Sequence, residues 1–100
     1  MKRLQFHPDA RAEFDDAAAY YEERRPGVGV RFRSAVEEAA RQIQENPLFY
    51  PVSDMPPVRY SVIYRFPYSI YFEDLEEAIL IVAVAHHKRR PGYWSRRLKP

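Results

Sequence analysis

Residues 86–100, His-His-Lys-Arg-Arg-Pro-Gly-Tyr-Trp-Ser-Arg-Arg-Leu-Lys-Pro, hold six Lys/Arg and no acid, whereas the 85 residues before them hold ten Lys/Arg against fourteen Asp/Glu. The net charge of +2 conceals a tail at +6 offset by −4 elsewhere. An anionic partner responds to that local field and not to the total. Lys88, Arg89, Arg90, Arg96, Arg97 and Lys99 repel one another and weaken the compact state unless an anion neutralises them. They read as a surface for a phosphate backbone or an acidic protein segment. Tyr93 and Trp94, set among these charges, read either as cation–π and packing anchors for the tail or as platforms for bases. His86 and His87 are neighbours on a strand, so their side chains leave on opposite faces and do not make one metal site. Either one caps the strand while the other is solvated, or they serve a function that titrates near neutral pH.

The second half of the chain supplies companions. Arg59, Ser61 and Arg65 fall on one face of an alternating segment, and Tyr71 and Glu73 follow on the next. Together with His86, His87, Lys88, Arg89, Arg90 and Tyr93 they would form a basic groove at one sheet edge, with imidazoles and a phenol. Such a set grips phosphates, stacks bases and moves protons. The alternative for Arg59 and Arg65 is an ordinary ion pair with Glu73 or the acids beside it. His7, before a helix start, reads as a cap. The Gly-x-Gly of Gly27 and Gly29 lies between two helices and not after a strand, which argues against a phosphate loop. No serine-nucleophile motif or inward carboxylate cluster appears, since Asp15-Asp16 and Glu37-Glu38 read as exposed helix pairs. Nucleotide-dependent and metal-dependent hydrolysis are disfavoured, and no cofactor is expected.

These residues must be positioned by a small scaffold. A hundred residues build one hydrophobic core, so residues 1–100 are expected to form a single domain. Hydrophobic content of 46% with 30% charged residues is a globular mix, and the absence of cysteine excludes disulfides and thiolate sites. A reducing, cytoplasmic location is the expectation. No stretch approaches about 18 consecutive apolar residues, and the N-terminus lacks the apolar run of a signal peptide, so no membrane partner is expected.

Arg3-Leu4-Gln5-Phe6 alternates like a short strand. Pro8 suits a first helical position, and Ala10, Phe14, Ala17, Ala18 and Tyr21 form one helical stripe, which predicts a helix over 8–24. Pro26-Gly27-Val28-Gly29 interrupts it. Phe32, Val36, Ala39, Ala40 and Ile43 then predict a second helix over 30–45, antiparallel to the first. Residues 48–57, rich in proline, are a connection. Val58, Tyr60, Val62 and Tyr64 alternate with Arg59, Ser61, Ile63 and Arg65, residues 68–72 form a third strand, and 78–85 a fourth, making an antiparallel meander. The fourth strand carries Leu80, Val82 and Val84 on one face and Ile79, Ile81, Ala83 and Ala85 on the other. It should be central and covered on both sides. The helices cover one side; the tail's Tyr93 and Trp94, a second copy or a partner segment must cover the other. The fold class is therefore α+β: an N-terminal strand, a helix hairpin, a three-stranded meander and a basic tail.

The order of elements and several local strings resemble the RelE/ParE family of toxins from bacterial type II toxin–antitoxin pairs. Phe6-His7-Pro8-Asp9-Ala10, Ala19-Tyr20-Tyr21 and Phe32 resemble its first half. Asn46-Pro47, Tyr50-Pro51, the run from Arg65 to Tyr71 and the run from Ala83 to Trp94 resemble its second. The resemblance covers about residues 4 to 97 and implies a growth-inhibiting toxin of plasmid-stabilisation or stress-response type. It also implies a cognate antitoxin whose flexible, acidic and apolar segment wraps the toxin. RelE-like members cut messenger RNA on the ribosome without a metal. By that resemblance Arg59, Arg65, His87, Arg89 and Tyr93 would be the catalytic set. ParE-like members inhibit DNA gyrase instead and lack that set. By that resemblance His86, Lys88, Arg89, Arg90, Trp94, Arg96 and Arg97 would contact the target or antitoxin. Residues 4–85 contain no lysine, whereas ribosome-dependent members place lysines on the early strands. Tyr93-Trp94 after the His-x-x-Arg of 86–89 also looks closer to the ParE-like branch. Inhibition by binding is thus the leading expectation, a messenger endoribonuclease the alternative, and an inactive binding module of the same fold a third reading.

Overall fold

The computed structural model describes residues 1–98, and Lys99 of the basic tail lies outside them. The chain opens with strand β1, Arg3–Phe6, and enters helix α1, Pro8–Arg24. His7 occupies the N-cap, its Nδ1 accepting the Asp9 N–H at 3.1 Å, and Pro8 follows where a missing N–H costs nothing. The expected stripe is the buried face: Ala10, Phe14, Ala17 and Ala18 are all under water-excluding cover.

Helix α2 spans Val28–Glu45 and so starts two residues before the predicted Val30. The reason lies in α1. The Glu22 carboxylate accepts the Gly27 N–H at 2.9 Å and the Val30 N–H at 3.3 Å, supplying acceptors that the first turn of α2 otherwise lacks. Gly27 takes φ 93, a left-handed turn that suits glycine. Gly29 is needed for a different reason, because a Cβ there would press into the Ala18 carbonyl oxygen and lie 2.6 Å from the Glu22 Cβ. Gly29→Ala is therefore expected to destabilise the protein by about 1–3 kcal/mol, as overpacking of a close helix contact does. Urea unfolding checks this, and an unchanged midpoint would mean the helices separate freely.

The sheet has the order β1-β4-β3-β2, with β2 Arg59–Val62, β3 Tyr68–Asp74 and β4 Ala78–His86. Strands β2, β3 and β4 form the expected antiparallel meander, and β1 adds to the far side of β4 in parallel, Leu4 opposite Ile79 and Phe6 opposite Ile81. Strand β4 is central, as its double-sided apolar sequence requires.

Two features depart from the alternation read in the sequence. Tyr71 faces Ala83 while Phe72 faces Ile81, so Val82 is an extra residue and β4 bulges there. Beyond the bulge the side-chain phase inverts. Val84 joins Ile79 and Ile81 against the helices, while Ala83 and Ala85 join Val82 on the opposite face. Strand β2 also stops at Val62 instead of running on to Arg65. Ile63 is buried whereas Tyr64 is 78% exposed, because the Ile63 N–H bonds to the Tyr68 carbonyl and Arg65 at φ 71 turns the chain back.

On the helix side, Phe14, Phe32, Ile43, Ile70, Phe72 and Ile81 make the main core, capped by an aromatic group of Tyr21, Phe32, Phe66 and Tyr68. On the other side the chain itself provides the cover. A 3-10 turn over Tyr93–Arg97 lays Trp94 onto the sheet, 3% exposed, its ring 4.9 Å from that of Tyr71. A fully buried side chain of this size contributes about 1.5–3 kcal/mol or more. Of the three covers considered from the sequence, the tail is the one in place over Val58, Val82, Ala83 and Ala85.

Candidate functional site

The basic segment begins where β4 ends. The His87 N–H donates to the Pro67 carbonyl at 2.8 Å, and the Arg89 N–H donates to His86 at 3.0 Å, closing a turn after the strand. Gly92, at φ 73, then reverses the chain and delivers Tyr93 and Trp94 back to the sheet. The loop thrown out by this reversal exposes Lys88, Arg89 and Arg90, and Arg96 is exposed beyond it.

What holds the reversed segment is a carboxylate on α1. Tyr93 donates its hydroxyl to Glu13 Oε2 at 2.7 Å, and Arg97 closes a two-pronged pair with the same carboxylate, at 2.9 Å to Oε1 and 2.8 Å to Oε2. The network also completes the sheet. The last backbone bond between β1 and β4 runs from the His7 N–H to the Ile81 carbonyl at 2.9 Å, after which β1 has turned into α1. Beyond that point the Val84 N–H donates to Glu13 Oε1 at 3.0 Å and the Val82 carbonyl accepts from Arg97 at 3.0 Å. Two side chains thus take the place of the missing strand. Their exposures are 17% for Glu13 and 13% for Arg97, low enough that the pair is weakly screened.

The electrostatics follow from this geometry. Burial opposes charge on Glu13, but donation from Arg97, Tyr93 and the Val84 N–H outweighs it and holds the carboxyl below its ordinary value of 4.5. Burial, then donation to Glu13, pushes the Tyr93 hydroxyl far above its ordinary range. Donation to Glu13 holds Arg97 firmly charged. Because the folded Glu13 releases its proton more readily than the unfolded one, its contribution to stability is complete above the ordinary value and disappears as pH falls through the depressed one. Melting temperature measured from pH 7 to pH 3 is therefore expected to fall more steeply in the parent than in Glu13→Gln; equal slopes would contradict the assignment.

The sequence-predicted residues divide into groups. His86, His87, Arg89 and Tyr93 gather at the end of β4. The Arg89 guanidinium lies 3.8 Å from the centre of the Tyr93 ring, the cation–π arrangement expected of an anchor. His86 packs edge-on against Tyr68 at 5.0 Å and accepts the Lys88 N–H at 3.0 Å, while His87 leaves on the other face and shares a 2.9 Å hydrogen bond with Ser69. Trp94 and Arg97 are held inside the fold, whereas Lys88, Arg89, Arg90 and Arg96 face solvent. Arg59 is not with them: its guanidinium donates to the Tyr50 carbonyl at 2.6 Å, beside the proline-rich connection. Arg65 sits on the β2–β3 turn, over the Tyr64 ring at 5.2 Å. Neither arginine pairs with Glu73 or the neighbouring acids among the described residues.

Glu13 is a residue that sequence reading did not single out. A signal existed: Glu13 lies three residues after Ala10 and four before Ala17, in a row of small buried side chains where something else must pack. Among the described residues no three His, Asp or Glu side chains gather into a metal-binding cluster. No helix among them is long and apolar enough to cross a membrane. The arrangement offers an exposed cationic loop braced by a buried ion pair.

Comparison with known proteins accords with this architecture. The model of the ParE toxin of the type II toxin–antitoxin system, parDE, matches residues 4–91. A solved structure of the chromosomal ParDE toxin–antitoxin system from P. aeruginosa contains a chain that superposes with a TM-score of 0.77 at 21% identity. The superposition covers 86% of this chain and 96% of that one. At that identity the likeness is one of fold. No curated protein matches the sequence. With nearly the whole strand, hairpin and meander inside the matched span, the chain belongs to the ParE toxin family of type II toxin–antitoxin systems.

Proposed function

We propose that the protein is a cytoplasmic toxin that arrests growth by binding a macromolecular target such as DNA gyrase. Its contact surface is the exposed cations Lys88, Arg89, Arg90 and Arg96. A cognate antitoxin bearing an acidic and apolar segment neutralises it by covering that surface. The observation that carries this reading is the state of Tyr93. Its hydroxyl is bonded to Glu13 at 2.7 Å and its ionisation is pushed up, so it does not offer the phenolate that would take a proton from a ribose hydroxyl. Arg97, bound to the same carboxylate, is not available to a scissile phosphate. Of the candidate catalytic set, His87 alone remains for proton transfer, bonded to Ser69 and far along the sheet from Arg59.

The endoribonuclease reading makes a different demand, a base and an acid around one phosphate. Purified protein added to a gyrase supercoiling assay and to translating ribosomes separates the two. Inhibited supercoiling with intact messenger supports the proposal. Mapped cleavage of messenger replaces it with the nuclease, and unimpaired growth on expression without a partner replaces both with an inactive binding module.

A further inference from the structure

On the sheet face opposite the helices, a cavity of about 350 Å³ opens beside the tail. One side of it is the segment Val52, Ser53, Asp54 and Met55, another is Pro91, Gly92 and Trp94, and the sheet contributes Tyr60 from β2 and Tyr71 from β3. Arg89 and Arg90 line the neighbouring cavity, which shares Pro91 and Gly92.

The chain itself fixes these walls. The Ser53 N–H donates to the Val58 carbonyl at 2.8 Å, the Val58 N–H donates to the Met55 carbonyl at 3.1 Å, and the Tyr60 N–H donates to the Pro51 carbonyl at 3.1 Å. Residues 51–60 are thereby closed into a compact loop. The tail turn meets that loop at Gly92, where a Cβ would stand 3.1 Å from the Met55 sulfur. A cavity of this volume lies at the small end of ligand pockets.

Its lining has a definite chemistry. Tyr60 and Tyr71 are partners across the strands, their ring centres 5.8 Å apart, and Trp94 backs Tyr71 at 4.9 Å. Val52, Met55 and Pro91 are apolar, and the Ser53 hydroxyl is taken up by the Met55 N–H at 3.1 Å. Of the residues that line the cavity, Asp54 alone is charged, and it forms no ion pair among the described residues. Burial, then the neighbouring Tyr60 and the Asp54 charge, pushes the Tyr71 hydroxyl above its ordinary value. The carboxylate field therefore reaches the rings.

We propose that this cavity binds a small methylated ammonium ion, its methyl groups against Tyr60, Tyr71 and Met55 and its charge toward Asp54. Electron-rich ring faces attract cations, and quaternary ammonium groups are the guests that suit them best. Other cations are served less well. A primary ammonium brings three N–H donors and a guanidinium five, which one carboxylate does not satisfy. A hard metal ion needs a fuller set of oxygens than Asp54 supplies. A quaternary ion carries charge and no donor, so rings and a single carboxylate meet all its demands. The site goes beyond the reading of the tail as a contact surface, and binding there is measured on the isolated protein whatever its target.

The probe is choline chloride, titrated into the full-length protein at constant ionic strength. Two rivals are titrated beside it: the uncharged isostere in which a tert-butyl group replaces the trimethylammonium, and guanosine, a nucleoside able to stack and to donate to a carboxylate. Trp94 is the one tryptophan of the chain, so its emission reports on this side of the sheet, and calorimetric titration measures the same binding independently. Choline is expected to saturate, to raise the melting temperature as ligands of the folded state do, and to bind about tenfold more tightly than the isostere. Asp54→Asn keeps the shape and removes the charge, and should weaken choline about tenfold. Tyr60→Leu should weaken it as well, whereas Arg3→Glu, on β1 at the opposite edge of the sheet, should bind as the parent does. Absence of saturation by both emission and calorimetry, equal affinity for the isostere, tighter binding of guanosine, or unchanged affinity in folded Asp54→Asn would each overturn the proposal.

Discussion

Replacing Glu13 with alanine is expected to lower stability by about 3 kcal/mol, the scale of removing one member of a largely buried pair. In a domain of this size that is a fall in melting temperature of roughly 15 °C. The loss has identifiable parts. Arg97 keeps a charge that is 13% exposed with no counter-charge beyond the more distant Asp9 at 3.7 Å. The Val84 N–H loses its acceptor, and so does the Tyr93 hydroxyl. With the tail released, Trp94 leaves Val58, Val82, Ala83 and Ala85 open to water. Calorimetry of Glu13→Ala, Arg97→Met and the double variant measures the coupling directly, and the double variant should be less destabilised than the sum of the two by about 2 kcal/mol. A Glu13→Ala protein melting within a few degrees of the parent would show that packing alone holds the tail.

The second large effect is functional. Lys88→Glu together with Arg90→Glu reverses two exposed cations while leaving Arg89 on the Tyr93 ring, so the fold should change by no more than about 0.5 kcal/mol. Target binding should weaken about a hundredfold, because like charges brought face to face cost several kcal/mol across an interface. Induced expression should then no longer arrest growth, while Arg41→Gln, on the exposed face of α2, arrests it as the parent does. Arrest by the folded double-reversal variant would place the contact surface elsewhere.

Much of the scaffold was legible because its signals are local. The bounds of α1 follow from Pro8 and the row Ala10, Phe14, Ala17 and Ala18, and the central place of β4 follows from nine residues, Ala78–His86, nearly all apolar. The features that were not legible are those without a polar marker or with a distant cause. The bulge at Val82 inverts the phase of Ala83, Val84 and Ala85, yet all are apolar, so no alternation betrays it. The early start of α2 depends on Glu22, several residues upstream in another helix. Strand β2 ends early because Arg65 turns left-handed, where sequence reasoning expects glycine. The parallel pairing of β1 with β4 joins the two ends of the chain and leaves no local trace.

The candidate site shows the same division. The tail's charge, its exposed loop and the anchoring of Tyr93 and Trp94 could be read from composition, since so many like charges need aromatic and apolar attachment. What composition cannot show is that Arg97 belongs to the interior and Lys88, Arg89 and Arg90 to the surface. That distinction is made by Glu13, which sits 84 residues away from Arg97 in sequence and selects one arginine of several. It also accepts the hydroxyl hydrogen of Tyr93, a candidate catalytic residue.

The claim that the tail works by binding and not by proton transfer meets its most direct test in His87→Ala with Tyr93→Phe. This variant removes the imidazole and the phenol of the candidate catalytic set and leaves the exposed cations intact. Loss of the Tyr93 hydroxyl should cost about 1.5 kcal/mol, the scale of a hydrogen bond to a charged group, so expression at reduced temperature keeps the protein folded. Growth after induction is the measurement: the account predicts arrest equal to that of the parent, and a folded variant that no longer arrests growth would contradict it.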